Sequence, residues 1–178
     1  SILSKFSFLP LIIGMTLLLS KEPCQALTGY PGFNLGAGYG FGSGSDQGDN
    51  YDPARMASLQ FFAIGTTHTK GMYLGFRYEQ QNLKYASMDG KQTSIGGTIG
   101  IGQRGCYVLA HSFWKISRDT ESGQVQGTGT GYDFGYQFPF FYKNFLTTGV
   151  QYSLRYTKYE NQATTNQHMP MLVLGGNF

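Results

Sequence analysis

Residues 146–156 read Leu146-Thr147-Thr148-Gly149-Val150-Gln151-Tyr152-Ser153-Leu154-Arg155-Tyr156. One parity carries Leu146, Thr148, Val150, Tyr152, Leu154 and Tyr156; the other carries Thr147, Gly149, Gln151, Ser153 and Arg155. Side chains of a β-strand point alternately to its two faces, so this segment has one apolar face and one small or polar face. Four more segments repeat the pattern. Phe33, Leu35, Ala37, Tyr39 and Phe41 alternate with Asn34 and glycines; Met72, Leu74, Phe76 and Tyr78 alternate with Tyr73, Gly75, Arg77 and Glu79. Ile95, Gly97, Ile99 and Ile101 alternate with Gly96, Thr98, Gly100 and Gly102; Tyr132, Phe134, Tyr136 and Phe138 alternate with Asp133, Gly135 and Gln137.

Three segments are less regular. Residues 55–65 set Leu59, Phe61 and Ala63 against Ser58, Gln60 and Phe62. Residues 106–117 fit best with Val108, Ala110, Trp114 and Ile116 on one face and His111, Lys115 and Ser117 on the other. Residues 167–178 place Leu172, Leu174 and Phe178 together. Eight strands are therefore predicted. Polar loops are expected at 43–54, 86–91, 118–127 and 160–166, with tighter turns at 67–70, 103–105 and near Pro139. Gly, Asn, Asp and Pro cluster there, as turn geometry requires.

Composition agrees. Gly is 26 of 178 residues, about twice the usual share, aromatics are 16% and charged residues only 13%. Disordered chains are poor in aromatics and rich in charge, so disorder is excluded. A net charge of +3 is too small and dispersed for a nucleic-acid binder. Residues 1–26 combine Lys5, an apolar run from Phe8 to Leu19 and the small-residue end Cys24-Gln25-Ala26. They read as a signal peptide, the run being shorter than the roughly 20 residues a membrane-spanning helix needs. The expected division is signal peptide 1–26 and barrel 27–178. Removing the leader leaves Cys106 alone, so no disulfide forms within the mature barrel.

Alternation also occurs in soluble barrels. Apolar-out is favoured by the other face, which is rich in Gly, Ser, Thr and Gln and poor in the Lys and Glu of a water-facing surface. It is favoured too by aromatics near strand ends: Tyr39, Phe41, Tyr78, Trp114, Tyr136, Phe138, Tyr152 and Tyr156. The expected fold is all-β, an eight-stranded antiparallel up-and-down transmembrane β-barrel. With its leader, its eight alternating segments and its last residues Leu172-Val173-Leu174-Gly175-Gly176-Asn177-Phe178, the chain resembles small bacterial outer-membrane barrels of the OmpX/OmpA-barrel type. The resemblance implies an integral outer-membrane location. It also implies that Leu172, Leu174 and Phe178 form the signal read by the barrel assembly machinery. Pro170 departs from a typical last strand, since it cannot donate to the ladder, and is expected near the outer end or at a bulge.

Arg77, Glu79, Lys115, Asp133 and Arg155 are expected to face the lumen and form a polar network, with both arginines in reach of Glu79 or Asp133. At mid-depth in lipid an Arg or Lys costs about 2–4 kcal/mol. His111-Ser112 is the only adjacent His/Ser pair, and strand neighbours point to opposite faces, so they cannot work as base and nucleophile together. His111 reads as a lumen residue, His68 as part of a turn, and His168 as lying near the outer end. Asp46, Asp49, Asn50 and Asp52 lack EF-hand spacing. The glycines at 36, 38, 40 and 42 lie inside a strand and open no helix, so they are no dinucleotide fingerprint. No cofactor, metal or nucleic acid is expected. The expected partners are the bilayer and lipopolysaccharide, the assembly machinery, and an extracellular partner reached through the loops. The expected role is non-catalytic, structural or surface-interactive; a narrow channel and a lipid A-modifying enzyme are the alternatives.

Overall fold

The computed structural model describes residues 32–44, 50–64, 71–85, 88–103, 105–120, 123–141, 146–160 and 164–177. The leader expected at 1–26, His68, Asp46, Asp49 and Phe178 lie outside the described residues. The strands are β1 (Gly32–Gly44), β2 (Asn50–Ile64), β3 (Gly71–Tyr85), β4 (Met88–Gln103), β5 (Cys106–Thr120), β6 (Gly123–Phe141), β7 (Leu146–Tyr159) and β8 (Thr164–Asn177). Each pairs antiparallel with the next, and β8 returns to β1, so the sheet is a closed barrel in sequence order. Closure removes the unpaired edge that an open sheet would present.

Parity sets the faces. Along β7, Thr147, Gly149, Gln151, Ser153 and Arg155 are buried in the lumen, while Val150, Tyr152 and Tyr156 are exposed on the wall. Leu74, Phe76, Ile99, Trp114, Tyr136 and Leu172 are exposed on other strands. From Leu146 to Tyr156 the outward positions climb about 25 Å at the usual rise and tilt, the height of a membrane barrel's apolar band. Thr148 sits in this band, and its hydroxyl donates to the Val173 carbonyl at 3.2 Å.

Among the described residues, the strands outrun the band at one end. β3 continues past Tyr78 to Tyr85, β4 begins at Met88 before its first outward isoleucine at 95, and β6 begins at Gly123 before Tyr132. The polar loops expected at 86–91 and 118–127 are thus largely strand: Asp89 and Gly90 pair with Lys84 and Leu83, and Gln124 pairs with Asp119. Gln124 also donates to Asp119 at 3.2 Å and Gln126 to Ser117 at 3.1 Å, so a polar ladder replaces the apolar one above the band. At the opposite end β6 runs through Pro139 to Phe141 with a register irregularity, where a turn was expected. Gly105 there has φ +86°, a conformation that favours glycine, and a Cβ would lie 2.3 Å from the Gln137 carbonyl oxygen.

The pattern on β5 is corrected by a bulge. Register shifts on both sides of the strand, between Phe113 and Ile116 toward β6 and between Ile95 and Gly96 toward β4. An extra residue reverses parity beyond it. Trp114 and Lys115 are therefore both exposed, Ile116 and Arg118 turn inward, and Ser117 turns outward. Pro170, expected near the outer end or at a bulge, instead lies within β8 opposite Tyr152 and interrupts the ladder without shifting its register. The β1–β8 ladder runs from Gly32 to Gly38, then resumes at Phe41↔His168, skipping Met169 and Pro170. Proline has no N–H to offer β1 there.

Candidate functional site: the buried ionic centre of the lumen

Arg77 and Glu79 lie two apart on β3, Asp133 on β6 and Arg155 on β7, all on inward parity and all buried. Arg77 Nε lies 2.5 Å from Glu79 Oε1, and Arg77 Nη1 lies 2.5 Å from Asp133 Oδ2. Arg155 Nη2 lies 2.5 Å from Glu79 Oε1, and Arg155 Nη1 lies 2.8 Å from Asp133 Oδ1. Each cation meets both anions, so the four charges cancel across the barrel. Gly131 makes room: a Cβ there would lie 2.6 Å from Arg155 Nη1. Phe113 caps the group, with the Arg155 guanidinium 5.5 Å from its ring centre.

Neutral side chains close a ring around these charges. Arg77 Nη1 donates to Gln60 Oε1 at 3.2 Å, and Gln60 Nε2 donates to Thr98 Oγ1 at 3.0 Å. Thr98 Oγ1 lies 2.8 Å from His111 Nδ1, and His111 Nε2 lies 2.8 Å from Asp133 Oδ2. Since Thr98 accepts from Gln60, its proton is free for Nδ1, which assigns the imidazole proton to Nε2, facing Asp133. Gln151 Nε2 donates to the same Asp133 oxygen at 2.8 Å, and Tyr107 donates to Gln151 Oε1 at 2.9 Å. Thr98, His111 and Asp133 stand in the order hydroxyl, imidazole, carboxylate that activates a nucleophile in hydrolases. Here the hydroxyl is buried and its oxygen accepts from Gln60. The arrangement holds charge and shape.

Apolar groups pack on either side of the ionic centre. Toward the short-turn end lie Phe62, Tyr73, Tyr107 and Leu109. Toward the projecting hairpins lie Phe113, Ile116 and Tyr159, with Arg118 5.1 Å from the Tyr159 ring centre and Tyr159 donating to Gln92. Beside these, Met56, Met169 and Met171 form a third cluster.

Of the charges expected inside, Arg77, Glu79, Asp133 and Arg155 meet, and Lys115 does not: the β5 bulge turns it outward. Leu172 and Leu174 are exposed on the outer wall of β8. His168 is also exposed there, in hydrogen-bond range of the Tyr152 hydroxyl at 3.1 Å. Sequence reasoning missed Gln60, Thr98 and Gln151 as network members, and Arg118 as an inward side chain. The first three sit on inward parity, but which side chains meet across the lumen depends on register.

An outside that is apolar for about 25 Å, wrapped on a lumen held by paired charges, inverts a soluble protein. The fold is that of the small bacterial outer-membrane β-barrels. It is similar to the crystal structure of Neisserial surface protein A (NspA), with a TM-score of 0.62 at 15% sequence identity, over 83% of this chain and 97% of that one. No protein-family model and no curated protein matches the sequence.

Proposed function

We infer that this chain is an integral outer-membrane barrel without catalytic activity, whose lumen is closed and whose work is done at its surfaces. The observation that carries this is the crossing of the lumen by Arg77, Glu79, Asp133 and Arg155 between layers of packed aromatic and apolar side chains. A rigid, filled cylinder mounts the hairpins that project from one end, and these offer an extracellular partner a polar, strand-built surface. The role is adhesion or membrane integrity. Leu172, Leu174 and Phe178 make up the signal that the assembly machinery reads.

A planar bilayer separates this reading from a channel. The purified chain is expected to give no steady open current, and Arg155→Ala, which removes one cation spanning the lumen, is expected to raise the frequency of brief openings. A sustained current from the unaltered protein contradicts the closed lumen. Unchanged lipid A mass in cells producing the protein is expected on the same reading, and a modified species contradicts it.

A further inference from the structure

The outer wall is not uniformly bulky. Where β1, β8, β7 and β6 meet, the outward positions include Ala37 and the flat ring of Pro170, walled by Tyr39, Tyr152 and Tyr136. The result is an apolar trough of about 970 Å³ on the wall. It lies at the break in the β1–β8 ladder, with the methionine cluster behind it. Arg55 borders the trough, its guanidinium 5.9 Å from the Tyr39 ring centre. Arg55 is also one member of a cross-strand row: Tyr39 pairs with Arg55, Arg55 with Asn82, and Asn82 with Lys91. All four are exposed on the outside. Two cations thus flank an amide across three neighbouring strands, roughly 10 Å apart at the usual strand spacing. The row lies toward the projecting hairpins, the end that faces outward in such barrels.

A trough that is apolar apart from Arg55 at its border takes a hydrocarbon chain. A guanidinium, an amide and an ammonium at its rim are donors suited to phosphate oxygens. We propose that the trough and the Arg55–Asn82–Lys91 row form a binding site for a bis-phosphorylated, multiply acylated lipid of the outer leaflet, the lipid A class. One acyl chain lies over Ala37 and Pro170, and the phosphates meet Arg55 and Lys91. The proposal rests on the outer-membrane reading above.

The test uses the full chain folded in neutral detergent, with binding read by native mass spectrometry. The probes are bis-phosphorylated lipid A, the same lipid with both phosphates removed, and phosphatidylglycerol. Unaltered protein is expected to prefer the bis-phosphorylated lipid over the dephosphorylated one by about tenfold or more, the scale of losing charge-assisted hydrogen bonds. Arg55→Gln with Lys91→Gln is expected to erase that preference. Ala37→Trp, which fills the trough, is expected to weaken both forms of the lipid. Equal binding of the two forms, an unchanged preference in the double glutamine variant, or equal binding of phosphatidylglycerol overturns the site. Insertion into vesicles is measured in parallel. Failure to insert overturns the outer-membrane reading itself, whereas insertion without lipid preference overturns the site alone.

Discussion

Asp133→Asn is expected to lower the unfolding free energy by about 3–5 kcal/mol, the cost of removing one partner from a buried ion pair. The substitution keeps the shape of the side chain and deletes its charge. Asp133 takes Arg77, Arg155 and Gln151 on its oxygens and has His111 beside it. After the change, two buried guanidinium groups share Glu79 alone. An asparagine also has one oxygen where the carboxylate has two, so donors on the second side meet an NH₂ group. The measurement is urea unfolding in micelles or vesicles, read as the midpoint at constant slope. Glu160→Gln, at the exposed position just after β7, is expected to leave the midpoint in place. A midpoint for Asp133→Asn equal to that of the unaltered chain contradicts the ionic centre as described. Replacing Arg77, Glu79, Asp133 and Arg155 together by apolar residues of similar volume is a different experiment, because such replacements are often neutral or stabilising. The network's contribution is then a unique lumen packing and not net stability.

Ile99→Arg is the second large effect. Ile99 is exposed on the outer face of β4, between Leu74 on β3 and Ala110 on β5. A guanidinium there enters hydrocarbon, and the expected loss is about 2–4 kcal/mol in folding into vesicles. Thr130→Arg, on the exposed face of β6 near the rim, is expected to cost only about 0–1 kcal/mol, because the penalty falls toward the interface. Similar costs at the two positions contradict a lipid-facing band. In a soluble barrel with its apolar face outward in error, both substitutions would instead improve solubility.

The two effects depend on different levels of the sequence's information. That Ile99 faces out and Asp133 faces in was legible from period-two alternation, because only within the band does every outward position have to be apolar. Above the band both faces are polar, and the alternation fades while the ladder continues. For that reason Asp89-Gly90 reads as part of a polar loop although it lies within β4. Parity also fails at an extra residue that leaves no compositional mark, which is why Lys115 reads as inward and Ile116 as outward. The ionic centre was legible as a set of inward charges and illegible as a network. Glu79 and Arg155 are 76 residues apart and Arg77 and Asp133 are 56 apart, and only the register around the closed barrel brings them to one height. Gln60, Thr98 and Gln151 are ordinary polar residues until that register is known.

The chain has a single tryptophan, Trp114, which stands exposed on the outer wall with its ring edge-on to Phe76 at 6.2 Å. It reports on the wall without any added label. In vesicles of lipids brominated on their acyl chains, its fluorescence is expected to be strongly quenched, while aqueous iodide has little effect. Emission that is indifferent to the brominated chains and quenched by iodide contradicts a band buried in hydrocarbon.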